Sequence, residues 1–415
     1  MKRNTLGSVA VVTVLALSTS SVSAADLPPA PGPGSYTIEQ AVSDNAQLNT
    51  LAFDALGFLT GTAGTDSFFP PGKVADFWGF QYLRDNDPSE MGHNTDFLTR
   101  ASLYMLDVLT PTQRASLAAL AKQQVGDINA YAMKRFTFMT AARRLLTRSL
   151  PKGTTSLNQK SVEQWSAGLY RLDGAMSVAR AKVMGAALYG LTEAQRARLE
   201  PLRAKGMSTW PVVAEVPELR ALSGDEKVAV MTYAGDMFSW YMGDVTADVY
   251  FCPERHGTYF GSFYLKDAPA VGNPGYGIDT TITGNLGAAF LAALTPTHAK
   301  TINALVAAQR ASLNDIVQVR RSVAVELRKA LSGGTVGDIS QLMTRYGVAD
   351  GRIGYLYATA FASVGRTLST VERNKLKALR TQLIGTMSPT GAYRYATPIA
   401  LPKIASTDFL FRAPK

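Results

Sequence analysis

Apolar residues recur at three- and four-residue spacing over long stretches of this chain. Leu117, Leu120, Ile128, Tyr131 and Phe138 fall on one stripe, and Ile302, Leu305, Leu313, Ile316 and Val323 fall on a second. That period puts one apolar side on an α-helix and predicts two long helices. Further helical patterns run over 162–189 and 339–364. Pro151-Lys152-Gly153 is expected to end the first long helix and Gly333-Gly334 the second, since proline cannot continue a helix and glycine closes one.

Helix starts are marked as clearly as the stripes. Leu109-Thr-Pro-Thr-Gln113, Leu191-Thr-Glu-Ala-Gln195, Leu294-Thr-Pro-Thr-His298 and Leu368-Ser-Thr-Val-Glu372 carry one signal four times. Thr110, Thr192, Thr295 and Ser369 each place a hydroxyl at a cap. Gln113, Gln195 and Glu372 stand three residues on and reach back to the cap N–H. Pro111 and Pro296 occupy the first turn, where a missing N–H costs nothing. His298 breaks the pattern, so that cap is expected to be weaker.

The chain also contains itself twice. Residues 54–85 lie over 236–267 without a gap, at an offset of 182, keeping Asp54/Asp236, Asp66/Asp248, Pro71/Pro253, Tyr82/Tyr264 and Asp85/Asp267. The expected fold is all-α: two tandem repeats forming a pseudo-twofold helical dimer within one chain. Segments 57–79 and 243–277, rich in Gly, Pro and aromatics without helical period, are expected to be ordered loops. The boundaries follow: helical repeats over 41–204 and 225–390, a linker over 205–224, and an extended tail over 391–415.

Leu-Thr-x-x-Gln opening a helix twice in one unit, behind an export signal, resembles the LTxxQ family, the Spy and CpxP periplasmic proteins. The likeness covers residues about 105–200 and 290–380. It implies long helices joined by hairpins and paired into a cradle with a basic concave face. It implies ATP-independent chaperoning of unfolded clients, or envelope-stress sensing. The Met- and His-rich ends of metal-responsive relatives are absent from both halves, so metal sensing is not carried over.

The export signal is residues 1–24: Met1-Lys2-Arg3, a short apolar run, and Val22-Ser23-Ala24 as a cleavage site. It reads as a Sec-type leader to a periplasmic or extracellular compartment, followed by a proline-rich spacer over 25–40. No later stretch approaches twenty consecutive apolar residues, so no membrane span is expected in the mature chain. Losing the leader removes Lys2 and Arg3 and no acid, so the net charge falls from +10 to +8. A basic exported protein suits an unfolded or anionic protein surface as partner. Without dense Lys/Arg runs, nucleic acid is not expected. The single cysteine, Cys252, excludes an intramolecular disulfide.

Candidate chemistry is sparse. Gln124, Arg135, Gln309 and Arg320 continue the two apolar stripes. Polar groups there must be partnered or line a cavity. Arg135 and Arg320 are expected to be buried against one repeat-equivalent pair among the retained acids Asp54/Asp236, Asp66/Asp248 and Asp85/Asp267, with Asp85 and Asp267 favoured. Arg143-Arg144 and Arg328-Lys329 match between the halves, as do the flanking Lys134 and Arg321, either as a solvated helix face or as a shared basic binding face. His93, His256 and His298 are not at ligand spacing, and the acids of 85–90 lack EF-hand spacing, so neither metal nor cofactor is expected. No nucleophile elbow or phosphate loop is present.

The reading favoured is an exported, non-enzymatic binding protein, a Spy-like ATP-independent holdase or envelope-stress-related protein using a basic amphipathic face. The alternatives are a structural or surface-assembly protein built from the duplicated helical unit, and a secreted carboxylate-based hydrolase with its site in the aromatic loops.

Overall fold

The computed structural model describes residues 44–61, 96–202, 211–213, 216–242, 286–384 and 403–414. Among these the protein is all-α, without a strand. The first half supplies α1 (Asp44–Thr60), α2 (Asp96–Val108), α3 (Pro111–Thr147), α4 (Gln159–Tyr189) and α5 (Glu193–Leu199). The second supplies α6 (Gly224–Met242), α7 (Leu286–Ala293), α8 (Pro296–Arg328), α9 (Ser340–Thr367) and α10 (Thr370–Ile384). The expected leader over 1–24 and spacer over 25–40, most of both aromatic segments, and with them Asp66, Asp85, Asp248 and Asp267, lie outside the described residues.

All ten stripe residues of α3 and α8 are buried, as their spacing requires. The caps form as their chemistry dictates. Thr110/Gln113 and Thr192/Gln195 are complete capping boxes. Ser369 and Glu372 exchange the same two bonds, at 2.8 and 3.2 Å. At Thr295 the cap bond from the His298 N–H stretches to 3.5 Å. α3 closes on Arg148, in the left-handed conformation at φ 60°, and Gly333 closes the turn after α8 at φ 73°.

At the centre, α4 and α9 run antiparallel in close contact. Gly174 lies beside Met343, Gly347 beside Ala167, and Gly351 beside Glu163. A Cβ on Gly347 would sit 2.5 Å from the Ala167 Cα, so only glycine admits this backbone approach. The outer helices cross between halves: α1 packs on α7 and α8, while α6 packs on α2 and α3. One contact recurs within each half. Arg143 of α3 donates to the Phe58 carbonyl of α1 at 2.5 Å, and Arg328 of α8 donates to the Trp240 carbonyl of α6 at 3.3 Å.

Two boundaries differ from expectation. Gly57 opens the last turn of α1 rather than a loop, because α1 still has apolar partners to cover there: Phe58 is fully buried and tilts against the Phe361 ring. The tail is not simply extended. Residues 408–411 form a 3-10 turn that buries Leu410 and Phe411. Arg144 holds it through Asp408 at 2.7 Å and Thr407 at 2.8 Å.

Candidate functional site

Three polar assemblies stand out, and each is built from helices whose apolar sides bring the polar groups together. The first is buried between the halves. Arg180, on the inward side of α4, pairs with Asp236 of α6, and both are shut off from water. The guanidinium also covers the Tyr233 ring at 5.0 Å. Tyr233 donates to Gln124 at 2.8 Å, and Gln124 donates to the Met176 carbonyl at 3.0 Å. Burial pushes the Tyr233 phenol up; Arg180 opposes the shift and Asp236 adds to it. In the second half Gln309 of α8 donates to Gln47 of α1 at 3.2 Å. Burial and the nearby Asp54 push the Tyr357 phenol well above its usual value, with Gln309 working the other way. Along the α4–α9 seam, Asp350 accepts from Ser166 at 2.9 Å and from Tyr170 at 2.8 Å. These groups are committed to one another and stabilise helix pairing.

The second assembly joins the repeated turns. Gln195 donates to the Val108 carbonyl at 2.8 Å and to Gln113 at 2.9 Å, and Gln113 donates to the Ala187 carbonyl at 3.2 Å. The early and late signals of the first half therefore lock together. In the second half Glu372 takes both roles. It accepts from the Thr295 N–H at 2.8 Å and from the His298 Nδ1 side at 2.7 Å. The acceptor missing from position 298 is thus supplied across the junction. Burial alone would raise the Glu372 carboxyl, but bonds from Ser369, Thr295 and His298 hold it well below the usual carboxylate range.

His298 Nε2 lies 2.9 Å from the Thr367 hydroxyl, giving the outline of an acid–imidazole–hydroxyl relay. The hydroxyl, however, already faces the Ser363 and Val364 carbonyls at 3.1 and 3.2 Å, the back-bond of a helical threonine. Both other members are helix-cap residues. The relay is a capping network.

The third assembly is open to solvent. An open depression of about 470 Å³ lies where α1, α3 and α9 end and α10 begins, and among the described residues no carboxylate lines it. Leu59 and Leu146 form its floor, with Arg148, Arg366 and Arg373 around them. Arg366 donates to the Leu145 carbonyl at 2.9 Å and Arg373 to the Gly365 carbonyl at 3.1 Å. From this end α10 presents Arg373, Lys375 and Lys377 to water, while Leu376 is buried and Glu372, its one carboxylate, is turned inward.

No family model, curated protein or solved structure matches this chain. The site is therefore read from its own geometry.

Of the residues singled out in the sequence, Arg143, Arg144 and Arg328 are engaged within the chain. Arg143 also lies 4.5 Å over the Phe58 ring, and Arg144 5.2 Å over Phe411. The side chains of Arg135, Arg320 and Arg321 lie outside the described residues, as do Asp85 and Asp267, so the pairings expected for Arg135 and Arg320 are not part of the described structure. The buried arginine–aspartate strut within the described residues uses Arg180 instead. Nothing in the sequence sets Arg180 apart from the other charges of the 162–189 pattern, Glu163, Arg171, Asp173 and Lys182, although Asp236 is among the acids retained by the repeat. Gln124 and Gln309 are buried and partnered, as stripe positions demand. Among the described residues no group of three metal-ligating side chains forms, and no helix is long and apolar enough to cross a membrane.

Proposed function

We propose that this is an exported binding protein without catalytic chemistry, a Spy-like ATP-independent holdase whose basic amphipathic face meets unfolded or acidic protein. The observation that carries this is the one-sided charge of α10. Arg373, Lys375 and Lys377 face water with no carboxylate paired to them among the described residues, and Glu372 is withdrawn into the turn junction. Val371 is 63% exposed at the same end of the helix. Unpaired charge attracts a client over about 10 Å at moderate salt, and exposed apolar groups beside it allow burial after contact.

The locked turns support the family likeness. In each half the Leu-Thr or Leu-Ser signals, distant in sequence, meet through position three of the motif. The duplicated architecture is part of the same proposal. It is supported by the crossed packing of α1 and α6 and by the matched Arg143–Phe58 and Arg328–Trp240 bonds.

The test is suppression of aggregation of a chemically denatured client by the mature chain without ATP. Protection at equimolar chain is expected, weakened several-fold by Lys375→Glu/Lys377→Glu and by raising salt toward 0.5 M or so. Absence of protection at molar excess, or protection indifferent to both charge reversal and salt, would end this reading.

A further inference from the structure

The depression at the start of α10 has walls, an apolar lining and an uncommitted arginine side chain. We propose that it is a carboxylate-binding notch that takes the acid group of a peptide whose neighbouring side chain is aliphatic. For the source of that peptide the inference rests on the holdase reading. For the site it rests on the following geometry.

Arg366 and Arg373 each use one N–H on a helix carbonyl. A guanidinium carries five N–H donors in a planar fork that fits a carboxylate edge to edge. The Arg148 side chain is exposed and makes no hydrogen bond or ion pair among the described residues. Three cations therefore line the depression, with no carboxylate among the described residues there.

The apolar floor reaches the α9 backbone because Gly365 has no side chain. A Cβ there would lie 2.6 Å from Leu146 and 2.9 Å from Leu59. The anion subsite thus adjoins an aliphatic surface, which is what selects a carboxylate on an apolar stem over a bare ion.

Basic residues at helix C-termini are ordinary, since they offset the negative end of the helix dipole. That accounts for Arg366 and Arg373. It favours a cation at Arg148 too, but does not account for the left-handed backbone there, at a φ of 60° that glycine adopts without strain. The turn after α8 shows the alternative: Gly333 has the same conformation, and the Tyr189 ring lies over it, 3.3 Å from where a Cβ would be. One turn is closed by glycine and tyrosine. The other keeps arginine at a strained position and leaves it free.

The experiment is calorimetric titration of the mature chain with N-acetyl-Leu-Leu as the free acid, with its C-terminal amide, and with inorganic phosphate. The acid should bind about ten-fold more tightly than the amide or phosphate, as expected if a charge-assisted fork is lost in one and the apolar stem in the other. Arg148→Gly should lose about five-fold or more in acid affinity while melting at the same or a higher temperature, because it relieves the left-handed strain. Arg366→Tyr should show the same loss.

Equal affinity for acid and amide, phosphate binding as tight as the dipeptide, or unchanged binding by Arg148→Gly would overturn the notch. The holdase reading fails separately. Loss of client protection with acid preference intact would sink the holdase alone, and intact protection without acid preference would sink the notch alone.

Discussion

Arg180 on α4 and Asp236 on α6 form an ion pair with both side chains buried, tying the long helix of one half to the first helix of the other. Removing one partner strands the other charge in the core. Arg180→Ala should therefore cost about 3–5 kcal/mol in urea unfolding, and replacing both partners with well-fitted apolar residues should recover much of that loss. An unchanged urea midpoint for Arg180→Ala would show that the pair carries no weight.

Glu372 and His298 should be energetically coupled, since one carboxylate serves both the late cap and the early turn. Glu372→Gln and His298→Gln should each destabilise, while the double variant reproduces the Gln113–Gln195 arrangement of the first half. A double-mutant cycle by thermal melting should give about 0.5–3 kcal/mol of coupling. Additive effects would mean that the two turns are only neighbours.

Acid should act partly through the same residue. The folded Glu372 carboxyl lies well below its unfolded value near 4.3. Its stabilisation is therefore present above that value and lost as pH falls below it toward the folded value. A Glu372→Gln chain should lose less stability than wild type between about pH 5 and pH 2, measured as urea midpoints across that range. Parallel profiles would contradict the assignment.

At alkaline pH two buried tyrosines should contribute. The Tyr233 and Tyr357 phenols are both raised. Their stabilisation is complete below the unfolded value near 10 and declines as pH rises above it. Tyr233→Phe should cost about 1 kcal/mol at neutral pH through the lost bond to Gln124 and should flatten the alkaline decline. A decline of unchanged slope would place the titration elsewhere.

Two glycine substitutions should act in opposite directions. Gly347→Ala drives a methyl into the α4 backbone at 2.5 Å. It should cost about 1–3 kcal/mol by overpacking, despite the better helix propensity of alanine. Gly126→Ala, inside α3 with nothing within 4 Å of its Cβ, should gain about 0.5–1 kcal/mol. Thermal melts of both variants decide this, and a stabilising Gly347→Ala would mean the helices can separate cheaply.

The sequence by itself determined what local physics controls. The stripes of α3 and α8 are buried because a 3.6-residue period leaves those side chains one direction to face. The four turns begin helices because Thr110, Thr192, Thr295 and Ser369 put a hydroxyl against the orphan N–H groups, whatever lies around them. The inward placement of Gln124 and Gln309 followed from the same period.

Tertiary structure decided partners. Arg180 stands 56 positions from Asp236, and no spacing rule links them. Their pairing comes from the crossing of α6 over the first half. Glu372 repairs the cap at Thr295 from 77 positions away, a substitution of acceptor visible only once the turns meet. Arg143 and Arg144, read as a surface pair, are taken up by the Phe58 carbonyl and the Asp408 carboxylate because α1 and the tail end beside them. Arg148 drew no attention in the sequence, since a basic residue after a helix is ordinary. Its left-handed backbone and the company of Arg366 and Arg373 exist only where four helices converge, because long-range packing and not local propensity chooses which chain ends share a surface.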